Sequence, residues 1–283
     1  MYYIFHHNDM DGIFSKIIAK DYIPTDNPMC LQVNYEPDVM DKFSLPKEGD
    51  NVIIVDYSFT EDTAKILDAL MDAVGSDNIT WIDHHISSLN LIKAHPVYGK
   101  IPGVRSVSHC GAWLAWEYFH NEDPIDVIKY VSDYDCWQQQ MKPQCDYLNA
   151  AFWGSEDRDS FVSLLLNRET DLTHVFEIGE IIYKADKINK ENIGKTEGYE
   201  SELEGHKCYC VNAHGNSLYF PDNILNKYEF VVLWHFNGER YIYSLYSRGN
   251  FDTSKIAEKF GGGGHPGASG FSSNKLLVVK RGE

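Results

Sequence analysis

Three short stretches gather side chains that can hold a metal ion or move a proton. His6, His7, Asn8, Asp9 and Asp11 follow the apolar run MYYIF; Asp56 ends the run NVIIVD; Asp83, His84 and His85 end ITWIDHH. Each residue alone has a bland reading, since an aspartate behind a strand is ordinarily a turn former or a helix cap. The recurrence of the same chemistry behind three separate apolar runs argues for a shared role. Several carboxylates crowded into one cleft with imidazoles repel one another and shift their own protonation unless cations sit among them. A mixed set of this kind suits manganese, iron or zinc, and its oxygen-rich balance, with no thiolate, leans toward manganese with magnesium as the alternative. Two divalent ions about 3.5–4 Å apart can clamp the attacking and leaving oxygens of a displacement at phosphorus and acidify a water into the nucleophile.

The elements that must position these residues are legible in the pattern. YYIF, NVIIVD and ITWID read as strands, with helical periodicity between them: Phe14, Ile17 and Ile18 after the first, and Ala64, Leu67, Leu70, Met71 and Val74 after the second. Ser58 and Glu61 are spaced like a capping box for that second helix. Alternation of strand and helix predicts a parallel α/β sheet with right-handed crossovers. Ligand sites in such sheets lie beyond the carboxyl ends of the strands, so the three clusters are expected to pool in one cleft. Asp9 and Asp11, two apart in an extended segment, would face the same side.

Composition narrows the function classes. The 283 residues carry a net charge of −17, which argues against a protein that coats long duplex nucleic acid, because such binding releases counterions from many phosphates. A short anionic substrate stays allowed. No apolar stretch approaches the roughly 20 residues needed to span a bilayer, and the N-terminus lacks a signal-peptide layout, so a soluble cytoplasmic protein with no membrane partner is expected. The six cysteines include no Cys-x-x-Cys pair, which indicates neither a zinc knuckle nor a disulfide framework, and Cys208 and Cys210 read as an inert strand pair.

The motifs HNDMDG (His7 to Gly12), VDYS (Val55 to Ser58) and DHH (Asp83 to His85) resemble the first three motifs of the DHH phosphoesterases, which include nanoRNases, RecJ-type exonucleases and family II pyrophosphatases. YVSDYDCW (Tyr130 to Trp137) is similar to a fourth, which supplies an aspartate from a helix end, and IAEKFGGGGHPGASGF (Ile256 to Phe271) resembles the signature of the DHH-associated substrate domain. Five motifs in this order span nearly the whole chain. The resemblance implies one metal held by His7, Asp9 and Asp56, and a second held by Asp11, Asp56, His84 and Asp133, with Asp56 shared. It implies that His85 faces the scissile phosphate and that Asp83 orients a histidine. His6 stands as the alternative to His7, and Asp135 as the alternative to Asp133.

The second half has its own pattern. Residues 170–195 carry apolar positions at helical spacing and read as a connecting helix. KCYCVNA, EFVVLWHF and RYIYSLYS read as strands, the last two joined by an Asn-Gly hairpin, and FDTSKIAEKF as a helix. Gly261 to Gly264 with His265 predict a loop whose bare backbone lets a phosphate approach, with Gly262, Gly263, Gly264 and His265 touching substrate. Many relatives have an arginine where Tyr246 stands, so Arg248, two residues on, is the expected phosphate contact, with Arg105 as a further one. The expected organisation is a catalytic domain over 1–168, a linker helix over 169–196 and a smaller α/β substrate-binding domain over 197–283, with the active site in a cleft between domains.

These features favour a two-metal phosphodiesterase of nanoRNase type that cuts short oligonucleotides, dinucleotides above all, to mononucleotides. Cyclic dinucleotides, phosphoadenosine phosphate, pyrophosphate and polyphosphate are alternative substrates. A nucleotide sensor or RNA-binding module is the alternative of another class, and the working unit is a monomer or a homodimer.

Overall fold

Apolar residues on both faces of a strand require cover on both faces, and the N-terminal strands have it. The computed structural model describes residues 1–25, 27–33, 46–248 and 251–280, and contacts divide the chain into units of Met1–Glu180 and Ile181–Glu283. In the first unit, β1 (Tyr2–His6) is followed by α1 (Met10–Tyr22), β2 (Met29–Gln32), β3 (Asn51–Val55), α2 (Ala64–Val74), β4 (Ile79–Ile82) and α3 (Ile86–Ala94). The helices α4 (Gly111–His120), α5 (Asp126–Asp135), α6 (Gln144–Gly154), α7 (Arg158–Leu166) and α8 (Leu172–Glu197) follow, the last running across the boundary of the two units.

The strands form a parallel sheet of order β2-β1-β3-β4. Ile4, Ile53, Val55 and Ile82 point to one face and pack with Phe14, Ile17 and Ile18 of α1, Leu114 of α4 and Ile128 of α5. Tyr3, Phe5, Val52, Ile54 and Trp81 point to the other and pack with Leu67 and Leu70 of α2 and Leu91 of α3. Each such leucine is worth roughly 1.5–3 kcal/mol when fully buried. α1 lies within the first core with every residue from Met10 to Ala19 buried. The chain turns to opposite edges of the sheet from β1, so the point between β1 and β3 is the switch at which a ligand crevice forms.

Three local expectations change. Asp11 lies in the first turn of α1 behind the N-cap Asp9, and not in an extended segment with it. β2 is absent from the sequence reading because MCLQ buries only Leu31. The Ser58–Glu61 capping box does not form: Ser58 accepts a hydrogen bond from Ser87 (2.9 Å), Glu61 pairs with His95, and α2 begins at Ala64 behind Thr63.

The second unit contains β5 (Tyr199–Leu203), β6 (His206–Asn212), the short α9 (Asp222–Leu225), β7 (Phe230–Phe236), β8 (Tyr241–Tyr246), α10 (Ser254–Lys259), β9 (Gly263–His265) and β10 (Ala268–Ser273). Its sheet runs β5-β6-β7-β8-β10-β9 and is antiparallel except for β6 beside β7. One face packs Val232, Leu245 and Tyr243 against Ile256 of α10, and the other packs Val231 and Leu233 against Leu225. Cys208 and Cys210 are both fully buried on one face, their sulfurs 3.6 Å apart. Among the described residues, no helix is long and apolar enough to cross a membrane.

Candidate metal centre

The carboxyl ends of β1, β3 and β4 bring the three clusters of the first unit together. Three sets of side chains offer ligand atoms within 4.8 Å of one another: His7, Asp9 and Asp56; Asp56, His84 and His85; and His84, Asp135 and Cys136. Asp56 belongs to two of these sets and His84 to two, so the sets join into one cluster.

Local backbone features explain how each side chain arrives there. Asp9 is the N-cap of α1, accepting the Gly12 amide (2.9 Å) with one oxygen and His7 Nδ1 (2.6 Å) with the other. Gly12 is obligatory, because a Cβ there would lie 2.3 Å from the His7 carbonyl oxygen. Asp56 has φ of 50°, a left-handed conformation that aspartate tolerates better than most residues, and this turns its carboxylate off the end of β3 into the cluster. Asp11 reaches across a hundred residues of chain to cap α4, accepting the amides of Gly111 (2.6 Å) and Ala112 (2.7 Å). α4 can come this close because Gly111 lacks a Cβ, which would sit 2.8 Å from the Asp56 Cβ and 3.0 Å from Asp11 Oδ2.

His84 stands at the middle of the cluster and is buried. Its Nε2 is 3.3 Å from Asp135 Oδ2, 3.4 Å from Asp56 Oδ1 and 3.7 Å from Asp11 Oδ2. Burial disfavours charge on this ring, yet the surrounding carboxylates hold its pKa well above the ordinary histidine value. Burial, with the charges of Asp11 and Asp9, drives Asp56 well above the carboxylate range. Burial and the Asp11 charge push Asp135 up to about 7. Asp9 goes the other way: burial opposes its charge, but the His7 hydrogen bond and the Gly12 amide bring it down to about 2.

Asp56 Oδ2 and Asp135 Oδ2 are buried and have no hydrogen-bond partner. A buried carboxylate oxygen without a donor is costly, and a divalent cation would satisfy both oxygens while neutralising the charge that raises their pKa values. The donor set of imidazole and carboxylate therefore fits the ions expected from the sequence.

Of the residues expected in the site, His7, Asp9, Asp56, His84 and His85 lie in these sets, and Asp11 sits at their edge with both oxygens already accepting amides. Asp133 does not join them. Its carboxylate accepts the amides of Gln140 (2.8 Å) and Met141 (3.1 Å), and its carbonyl accepts that of Gln138, so it organises the loop that follows α5. Asp135, two residues on, is the aspartate that faces His84. His6 is turned away as well. It is buried, bonded through Nδ1 to the His7 carbonyl, pushed down to about 4 by burial, and lines a different cavity of about 440 Å³ with Asn8, Lys16 and Asp159.

Asp83 is fully buried and accepts His85 Nδ1 (2.8 Å) and the Ser88 hydroxyl, so it orients His85 and not the neighbouring His84. Arg105 is held by the protein's own backbone. Its guanidinium donates to the carbonyls of Trp81 (3.0 Å) and Pro102 (3.2 Å) and lies over the Trp81 ring, which fixes it as a brace beside β4.

In the second unit, Arg248 is exposed and paired with Asp222 (2.6 Å), and the Tyr246 hydroxyl donates to the Gly215 carbonyl. His265 is exposed at the end of β9. The glycine run has a packing cause the sequence did not reveal. A Cβ on Gly262 would lie 2.1 Å from the Gly270 oxygen, Gly264 has φ of 134° and would meet Ser269, and Gly261 has φ of 77°. Gly263 alone of the four has open space and no positive φ, so it is the position where a ligand, and not β10, could require a bare backbone.

Sequence reasoning also missed Cys136, Ser88 and the α4 amides. Cys136 was in view inside SDYDCW, but its sulfur reaches His84 only because α5 ends there.

A family model described as "DHH family, N-terminal domain" matches residues 1–142, half of the chain. An uncharacterized protein of Acanthamoeba polyphaga mimivirus is 26% identical over 267 residues, covering 89% of this chain. The chain spans only 58% of that relative's length. Oligoribonuclease NrnB of Bacillus subtilis is 25% identical over 304 aligned positions, covering 96% of this chain and 73% of its own. Among solved structures, the pGpG-specific phosphodiesterase PggH of Vibrio cholerae has a TM-score of 0.54 at 14% identity, covering 97% of this chain and 94% of that one, a likeness of fold.

Proposed function

Since the chain belongs to the DHH family of metal-dependent phosphoesterases, we propose that it is a two-metal phosphodiesterase that hydrolyses short oligonucleotides, dinucleotides above all, to mononucleotides. The observation that carries the metal part of this reading is the pair of buried oxygens without a hydrogen bond, Asp56 Oδ2 and Asp135 Oδ2, on the two carboxylates that face His84. The similarity to an oligoribonuclease supports the choice of substrate. A cytoplasmic location goes with that substrate.

His7, Asp9 and Asp56 would hold one divalent ion, a set whose two carboxylates favour manganese. Asp56 and Asp135, which lie 3.4 Å and 3.3 Å from His84 Nε2, would hold the second together with that histidine, with Asp11 fixed at its edge by the α4 amides. When bound, such ions acidify a water and offset charge on the phosphoryl oxygens. The chain does the rest. Asp83 accepts a hydrogen bond from His85 Nδ1–H, which fixes the ring, and the imidazolium form of His85 would donate from Nε2 to a phosphate oxygen of the substrate. Ser88 holds Asp83 from the other side, so His85 is oriented before substrate arrives. In the second unit, Arg248 would exchange Asp222 for a substrate phosphate, and Gly263 with His265 would offer backbone and imidazole donors.

The test is a substrate panel. Purified protein with manganese should release mononucleotides from pGpG and other linear dinucleotides faster than it degrades longer RNA, cyclic dinucleotides, phosphoadenosine phosphate or pyrophosphate. Asp56→Ala should be inactive. Phosphate release from pyrophosphate with intact dinucleotides would overturn the substrate, saturable dinucleotide binding without turnover would favour a sensor, and full activity in Asp56→Ala would overturn the mechanism.

A further inference from the structure

Cys136 caps the C-terminal end of α5, directly after Asp135, and its sulfur lies with His84 and Asp135 inside a set of ligand atoms no more than 4.8 Å apart. Such a separation matches ligands around one ion, since opposite ligands at about 2.0–2.3 Å from a metal stand within that span. The thiol is half-buried, with Ser132 Oγ 4.0 Å away, a weak contact. A second observation on the same spot points to a ligand: Asp56 is 1% exposed, its Oδ1 lies 3.4 Å from His84 Nε2, the nitrogen that Asp135 also faces, and its Oδ2 has no hydrogen-bond partner.

We propose that Cys136 is a ligand of the second metal position and makes the two positions, which share Asp56, unlike: a hard one completed by His7 and Asp9, and a softer one completed by His84, Asp135 and Cys136 that selects a thiophilic divalent ion such as zinc, cobalt or iron over magnesium and manganese. This rests on the metal-centre reading above and refines it. Oxygen ligands favour magnesium and manganese, whereas thiolate favours softer ions, and imidazole is compatible with both. One thiolate among the four ligands of the second position is therefore enough to separate the positions. Binding replaces the S–H bond by a sulfur–metal bond and releases that proton to solvent, with no change in oxidation state.

Cobalt(II) reports both halves of the proposal without reference to activity. The full chain, freed of metal by chelator and titrated with cobalt(II) under reducing, oxygen-free conditions, should show visible d–d bands and a near-ultraviolet sulfur-to-cobalt charge-transfer band. Cys136→Ser should keep the d–d bands and lose the charge-transfer band. Cys110→Ser should keep both, although Cys110 is buried beside Asp11 and is the other cysteine near the cluster. In competition with a chromophoric chelator, Cys136→Ser should bind zinc at least roughly 100-fold more weakly, the upper range for losing even an outer partner of a metal ligand. Manganese binding should stay within about threefold, because its position keeps an oxygen-rich set. If wild type shows d–d bands without charge transfer, or Cys136→Ser retains the charge-transfer band, Cys136 is not a ligand and the metal centre stands without it. If wild type shows no d–d bands, the metal-centre reading itself fails and takes this one with it.

Discussion

Asp56→Asn should stabilise the metal-free protein while abolishing its response to metal. The wild-type carboxylate is buried, close to the charges of Asp11 and Asp9, and leaves Oδ2 without a donor. An unsatisfied buried polar oxygen costs about 1–3 kcal/mol, and an amide of the same size can donate to a neighbouring carboxylate where Asp56 cannot. For a chain of this size each kcal/mol moves Tm by about 2–4 °C, so the variant should melt several degrees above metal-free wild type at neutral pH. The pH dependence has a definite sign. Because the folded-state pKa of Asp56 is raised, this site binds more proton in the folded than in the unfolded chain above the ordinary value of 3.8, and its contribution to wild-type stability falls as pH rises from there toward neutrality. The advantage of Asp56→Asn should accordingly be absent near pH 4 and grow toward neutral pH. Metal reverses the order. At a manganese concentration 100-fold above Kd, wild type should gain about 2.7 kcal/mol, and the variant, lacking the shared carboxylate, should gain little. Thermal unfolding by circular dichroism of chelator-treated protein, with and without manganese across this pH range, measures all of it. A variant less stable than wild type without metal at neutral pH, or one whose melting point rises with manganese as much as wild type does, would refute the reasoning.

Two paired substitutions test the assignments that geometry makes against sequence spacing. Asp135→Ala should leave metal-free stability unchanged or raised and abolish metal-dependent stabilisation, whereas Asp133→Ala should lower metal-free stability by about 2–3 kcal/mol, because the amides of Gln140 and Met141 lose their acceptor; chemical denaturation with and without manganese separates the two. Gly262→Ala should lower the melting temperature through its clash with β10, whereas Gly263→Ala should leave it unchanged and raise KM for a dinucleotide with little effect on kcat. Unchanged KM in Gly263→Ala would remove the glycine run from the substrate contacts.

The difference between these pairs shows what kind of information the sequence carries. The parallel sheet was legible because runs such as NVIIV are apolar at every position, a pattern that only cover on both faces explains. β2 and β5 were not, because MCLQ buries one residue and YESEL buries only Ser201 and Leu203, which is too little contrast to separate a strand from a loop. The strand-end aspartates and histidines were legible as a metal-competent group because their position follows from the sheet alone. Asp133 and Asp135 could not be told apart, since both sit in the last turn of α5 and the choice is made by the loop amides that claim one of them.

The α4 contacts extend this point from assignment to energetics. Nothing near Asp11 in the sequence announces that its oxygens will be met by Gly111 and Ala112, yet those two amides sit at a helix N-terminus, where the backbone dipole favours a negative charge. The fold thus supplies helix N-terminal amides to two carboxylates of the cluster, Asp11 and Asp9, and leaves Asp56 Oδ2 and Asp135 Oδ2 without a hydrogen-bond donor. Had amides met all of them, the metal-free protein would be more stable, and no oxygen would remain to bind an ion. The unevenness of hydrogen bonding around His84 is therefore the physical feature that separates residues that shape the centre from residues that bind in it. It predicts that substitutions at Asp11 will act through the α4 N-terminus, on stability first, and substitutions at Asp56 and Asp135 through metal binding first.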